Sequence, residues 1–367
     1  MSEPKYDITK KILSGKLNRR QMMQALGAAG LVATTQFGTK AMAAENARIL
    51  TWSGYDVPEM YPGMDPERLE FTVGDDAESM LQKIRAGFQT DIAHPCTSDP
   101  IRWHRAGVIQ PLDISRLEHW DNVFDSMKQL PTTYFEGKHW FAPCEFGDTT
   151  IIYNQDKLDW VESGKTSINM VYDDRLEGKV GMLDSAADSL YVLMIGLGID
   201  VTDMESITIQ DVDRVYAALE KLRPNLRVVS ADPTTLEQAI MDGEIDAMIA
   251  WNESAWNTGM RMLTPKEGTL TWCCGAVIPK SANLDVAYEV INAMQSPECS
   301  RFMLVDYGYG HVNKVGYDAI STDEKNERGL ALDPAAHLAS GNFSDNPLPE
   351  VTDYIEQRWA EFTAGVI

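Results

Sequence analysis

LEFTVGDDAESMLQKIRAGFQTDIAH, residues 69–94, reads as strand, helix and strand in that order. Leu69–Val73 is a short β-prone run. Ala77–Gly87 sets Met80, Leu81 and Ile84 on one side at helical spacing and stops at a glycine. Thr90–His94 is a second short strand, closed by Pro95. Working outward, Ala47–Trp52 (ARILTW) is an apolar strand ending in Trp52-Ser53-Gly54-Tyr55, and a helix through Ile101-Arg102-Trp103 runs to Gly107. Strands that alternate with helices predict an α/β lobe with a largely parallel sheet.

The alternation starts again further on. Gly178–Leu183 is a strand and Ala187–Leu197 an apolar helix. Ile209–Arg223 places Val212, Val215, Ala218, Leu219 and Leu222 on one helical face, and Arg227–Ser230 is strand-like. Thr235–Asp242 is a helix stopped by Gly243, Ala247–Trp251 (AMIAW) a buried strand, and Leu284–Met294 a helix. Between them Thr269–Pro279 is extended. The pattern predicts two similar lobes joined by extended crossings near Thr149–Tyr153 and Trp272–Ala276. The expected divisions are residues 44–150 for the first lobe and 151–272 for the second. Residues 273–310 return to the first lobe, and 311–367 form a C-terminal segment packing on the second.

The 367 residues suffice for two lobes with their own cores. A formal charge of −23 argues against a nucleic-acid partner, which demands basic stripes. The N-terminal residues differ in sign: Lys5, Lys10, Lys11, Lys16, Arg19, Arg20 and Lys40 face only Glu3 and Asp7. Arg19-Arg20 precede a weakly apolar run, Ala25–Ala33, and Ala41-Met42-Ala43 is a small-x-small cleavage pattern. Residues 1–43 therefore read as a signal peptide resembling the twin-arginine type, with export to the periplasm and cleavage near Ala43. The five cysteines, Cys96, Cys144, Cys273, Cys274 and Cys299, match no zinc spacing. An oxidising compartment allows one disulfide, expected as Cys96–Cys144.

In open α/β sheets ligands bind where strands end. Trp52, Ser53 and Tyr55 follow the first strand, and Cys96, Thr97 and Ser98 the third. Glu145 and Asp148 flank the first crossing, and Asp184 and Asp188 follow Leu183. Trp251, Asn252, Glu253 and Ser254 end the AMIAW strand, and Trp272 and Cys274 lie in the return crossing. Indole faces attract organic cations, and carboxylates bind N–H donors through charge-assisted hydrogen bonds. The expected guest is thus a small cation. Nucleophile elbow, phosphate loop and paired-histidine metal motif are all missing from the sequence, so no enzyme activity, cofactor or metal is expected.

Taken in order, these motifs resemble the polyamine-binding proteins of bacterial ATP-driven (ABC) importers, the spermidine/putrescine type within the larger solute-binding group. The carriers in the first half are Trp52-Ser53-Gly54-Tyr55, Thr90-Asp91-Ile92 through Pro95, Phe141-Ala142-Pro143 through Gly147, and Tyr153-Asn154. In the second half they are Leu183-Asp184 through Gly198, Gly243-Glu244-Ile245-Asp246 through Trp251-Asn252, and Pro265-Lys266-Glu267-Gly268 through Trp272 to Ile278-Pro279. The resemblance implies a two-lobed periplasmic binding protein fold with a ligand cleft, acting as a monomer that delivers its ligand to an inner-membrane permease. By position, Trp52 and Tyr55 would contact the ligand from the first lobe. Asp188, with Asp184 nearby, would hold an amine, and Trp251 and Trp272 would wall the cleft. Cys274 stands where the family carries an aspartate, Gly54 replaces an acid of some members and Ser98 an aromatic. Glu145 and Asp148 are acids at positions usually uncharged. A diamine needs an anion near each end; Asp188 would serve one and Glu145 or Asp148 the other. A monoamine or quaternary ammonium ligand is the alternative, and ferric iron on Tyr307 and Tyr309 a further one.

Overall fold

The computed structural model describes residues 45–74, 76–327 and 330–365; the expected signal peptide lies outside them. The first lobe is built on β1 (Ala47–Trp52), paired in parallel with β2 (Leu69–Gly74) and β3 (Ile92–Ala93). Helix α1 (Ala77–Arg85) starts on a capping box in which the Ser79 amide donates to Asp76 at 2.6 Å. Such a cap stabilises by about 1 kcal/mol. It buries Met80, Leu81 and Ile84, the side the spacing predicts. They join Ile49, Leu50, Ile92 and Trp103 in one apolar core.

A larger sheet, eight-stranded among the described residues, carries the second lobe. Its strands are β4 (Ala142–Tyr153), β5 (Val180–Leu183), β6 (Leu226–Ser230), β7 (Ala247–Trp251), β8 (Leu270–Ala276) and β9 (Asn342–Phe343), with two short strands added on β4. Parallel pairing runs β6–β5–β7, and β4 lies antiparallel beside β7. The helix Ile209–Leu222 buries Val212, Val215, Ala218, Leu219 and Leu222, as its periodicity requires. These side chains, apart from Ala218, form the second core with Val180, Met182 and Ile249.

The crossings are adjacent strands of this sheet. All twelve residues of β4 are buried: Ala142, Cys144 and Phe146 belong to the first core, Ile151 and Tyr153 to the second. β8 runs back antiparallel to it, with Leu270 in the second core and Cys273 and Ala276 in the first. A third crossing was not expected. β9 pairs in parallel with β8, Leu270 opposite Asn342 and Thr271 opposite Phe343. The tail expected to pack as one piece on the second lobe is therefore divided. Val312, Tyr317, Ile320 and Leu338 are buried in the first core, whereas Val351, Ile355, Trp359 and Phe362 of the helix Pro349–Thr363 are buried in the second. The polar stretch Ser340–Asn346 separates two apolar clusters, so each half finds its own core.

Candidate functional site

The second lobe contributes Asp188, which follows β5 in the first turn of a helical segment begun by Ser185. One oxygen accepts from Thr149 Oγ1 and from Trp251 Nε1, both at 2.8 Å; the other accepts from Ser185 Oγ at 2.7 Å. Three neutral donors hold the carboxylate without neutralising its charge. Trp251, at the end of β7, packs on the first core as well as on a small cluster around Leu183, Ile240 and Met248. Its indole thus stands between the lobes.

Aromatic rings form a chain along the edge of the first core. Tyr55 packs edge-on to His94 and tilted to Tyr307, with centroids 5.1 and 5.2 Å apart. Tyr307 contacts Tyr309 at 5.5 Å, and Tyr309 meets Trp272 edge-to-face at 4.8 Å. Trp272 lies directly opposite Gly147 in the β4–β8 ladder. A Cβ on Gly147 would come within 2.3 Å of the indole, so only glycine lets the ring lie across the strand. Burial, with the field of Glu145, pushes the Tyr55 phenol well above its ordinary value. The indole nitrogens of Trp52 and Trp272 are buried and have no hydrogen-bond partner among the described residues.

The other expected acids are engaged internally. Glu145 Oε1 lies 2.7 Å from His94 Nε2, both side chains buried, while His94 Nδ1 is 2.9 Å from Thr51 Oγ1. Asp148 accepts from Thr269 at 2.7 Å and from Thr271 at 2.8 Å, and His337 Nε2 lies 2.9 Å away. It therefore ties both strands to the helix Pro334–Ser340. Asp184 accepts from Trp359 Nε1 at 2.8 Å and anchors the last helix. Asn252 accepts from the Asp148 amide and donates to the Gly308 carbonyl. Thr97 is buried with its amide on the Cys273 carbonyl, and Ser53 is exposed.

The disulfide joins Cys96 to Cys274, not to Cys144. Side chains alternate across a strand. Cys274 pairs opposite Glu145, on the side facing the loop after β3, and Cys144 therefore points the other way. Cys144, Cys273 and Cys299 are buried thiols. Cys274, expected to touch the ligand in place of an aspartate, instead fixes the strand-end loop that carries Thr97.

The pair at Asp148 has a pH signature. Burial pulls the His337 pKa down, but the hydrogen bond and charge of Asp148 outweigh it and raise the value above the ordinary 6.5. The native state binds this proton more tightly than the unfolded chain, so the pair stabilises fully below pH 6.5 and loses its contribution as pH rises through the raised value. Thermal melts from pH 6 to 9 are expected to show this alkaline loss, and His337→Gln to lack it. Equal slopes for both proteins would contradict it.

Sequence reasoning left one acid out of the site. Glu253 follows Trp251 by two residues at the same strand end, and that placement was its signal. It opens the short helix Glu253–Thr258, hydrogen-bonds the Tyr309 hydroxyl, and keeps its second oxygen buried with no partner among the described residues. Burial pushes its carboxyl up to about 7, Glu237 and Asp188 adding in the same direction against the pull of Tyr309.

The chain belongs to the bacterial extracellular solute-binding protein family, whose model matches residues 65–328. It is 25% identical to the putrescine-binding periplasmic protein PotF of Escherichia coli, over 92% of this chain and 96% of that one. It is 22% identical to the spermidine/putrescine-binding periplasmic protein of Salmonella typhimurium, over 92% and 97%. Among solved structures, the spermidine/putrescine ABC transporter substrate-binding protein PotD of Streptococcus pneumoniae superposes with a TM-score of 0.73 at 20% identity, covering 88% of this chain and 99% of that one. The two-lobed α/β fold is thus that of solute-binding proteins. A glucopine-binding relative from A. tumefaciens shares it with a TM-score of 0.60 at 16% identity over 86% of this chain and 95% of that one, so the fold alone does not choose the ligand.

Proposed function

We propose that this chain is the periplasmic ligand-capturing component of an ABC importer and that it takes a polyamine of the putrescine/spermidine class. Asp188 carries the reading. It is a carboxylate held by three neutral donors, with the Trp251 indole as one of them and no compensating cation among its hydrogen-bond partners in the described residues. An ammonium group supplies the missing charge, and the rings of Tyr55, Trp251 and Trp272 suit the methylene chain and its charged ends. The relatives named for polyamines span nearly the whole chain, which supports the same ligand class and an inner-membrane permease as partner. Capture and delivery need no catalytic group; the protein is a carrier, not an enzyme, and works as a monomer after export to the periplasm.

The buried N–H groups of Trp52 and Trp272 favour a second reading. Their natural complement is an acceptor, which a betaine offers together with a quaternary ammonium. Intrinsic tryptophan fluorescence during titration with putrescine, spermidine, agmatine, choline and glycine betaine separates the two. Saturable change at low ligand concentration with diamines supports the proposal. A response confined to choline or betaine replaces it, and silence to every cation removes it.

A further inference from the structure

Asp148 is held by Thr269, Thr271 and His337, and Glu145 faces the His94 imidazole in an ion-pair contact without a hydrogen bond, so a diamine held at Asp188 still needs an anion for its far end. An unpaired buried ammonium is strongly disfavoured. Glu253 is close enough to Asp188 for the two charges to act on each other. It lies on the far side of Trp251 in sequence from the start of β7, and Trp251 itself reaches Asp188. Its hydrogen-bond partner Tyr309 is the ring that abuts Trp272, and its other oxygen is buried and unpartnered among the described residues. Asp188 and Glu253 thus stand at neighbouring strand ends, close enough for their charges to interact, an arrangement suited to a cation with two charged ends. Resting on the polyamine reading, we infer that Glu253 is the second anionic anchor of the cleft and that amine capture there releases a proton.

The groups facing Glu253 agree. Tyr307 and Tyr309 approach from the turn at Gly308, where an added Cβ would come within 3.3 Å of the Glu253 Cβ. Glu237 faces it from the helix Pro233–Met241, and Asp188 from the segment after β5. Tyr55 stands on the first-lobe side, with His94 and Glu145 paired behind it. Arg261 pairs opposite Tyr153 on β4, four residues along from the Thr149 that faces Trp251. With acids and phenols around it, an empty site favours the protonated carboxyl. When an ammonium arrives, the carboxyl O–H bond breaks, the proton passes to solvent, and the carboxylate accepts the N–H of the ligand. Affinity must then fall as pH drops through the neutral range, by about tenfold per unit once the free carboxyl is protonated.

The test is calorimetric titration of putrescine into the intact protein at pH 6.0 and 8.5, each in two buffers of different ionisation enthalpy. Expected is release of about one proton at pH 6.0 and almost none at pH 8.5. Glu253→Gln is isosteric, and is expected to bind more weakly at pH 8.5, to exchange no proton and to lose the pH dependence. The wild-type proton count needs no variant, so misfolding of Glu253→Gln does not blunt the test. Putrescine binding with no proton exchange at pH 6.0, or a variant with the wild-type profile, overturns the anchor and leaves the polyamine reading standing. No putrescine binding at either pH overturns both.

Discussion

Asp188→Ala is expected to raise the Kd for putrescine by about a hundredfold or more, equivalent to ~2.7 kcal/mol. Truncating one partner of a hydrogen-bonded charge pair costs about 2–5 kcal/mol, much of it from the ammonium left unpaired. The substitution also frees Thr149, Ser185 and Trp251, but Asp188 is only partly buried and its three donors are neutral, so the melting temperature should change little. Asp188→Asn separates charge from geometry, because it keeps an acceptor for the indole while removing the anion. It should bind nearly as poorly as the alanine variant. If both variants bind putrescine within threefold of the wild type, Asp188 is a structural acid and the polyamine proposal loses its main support.

The second large effect concerns the Cys96–Cys274 bridge. It closes a loop of sequence separation 178. In the chain-entropy account, a loop of that length restricts the unfolded state by up to ~5 kcal/mol, an upper bound for a native bridge. The paired substitution Cys96→Ser with Cys274→Ser should lower the denaturant midpoint accordingly, and a reductant should shift the wild type but not the double variant. The ligand site should suffer too, because the bridge ties the loop after β3 to the crossing strand that bears Trp272. A shift corresponding to less than ~1 kcal/mol would mean that the unfolded chain gains little freedom when the bridge is absent.

Much of the fold was legible because hydrophobic spacing reports one-body properties. Val212, Val215, Leu219 and Leu222 bury the face their periodicity dictates, and Ala247–Trp251 and Leu284–Met294 have the expected bounds. Pairings between distant segments were much less legible. Nothing local to Asp148 announces that His337, far down the chain, will come to its carboxylate, and nothing local to Cys96 distinguishes Cys274 from Cys144. The acids at 145 and 148 were assigned by proximity to a crossing, whereas the sheet's alternation decides what each faces. Glu253 shows the reverse. It stood at a strand end beside Trp251, and only tertiary burial marks it off from an ordinary surface acid opening a helix.

The three crossings, β4, β8 and β9, lie side by side and share ladder hydrogen bonds. Sliding one lobe past the other would break those bonds; bending the ribbon at one level would not. Leu270–Thr271, Thr149–Asp148 and Asn342–Phe343 mark that level, and Asp148 ties β4 to Thr271 of β8, to Thr269 just before it and, through His337, to the helix that precedes β9. Such a joint behaves like a door leaf with a single axis. A single axis of that kind would carry Asp188 and Trp251 as one unit relative to Tyr55, so the backbone would limit where the two halves of the site can meet.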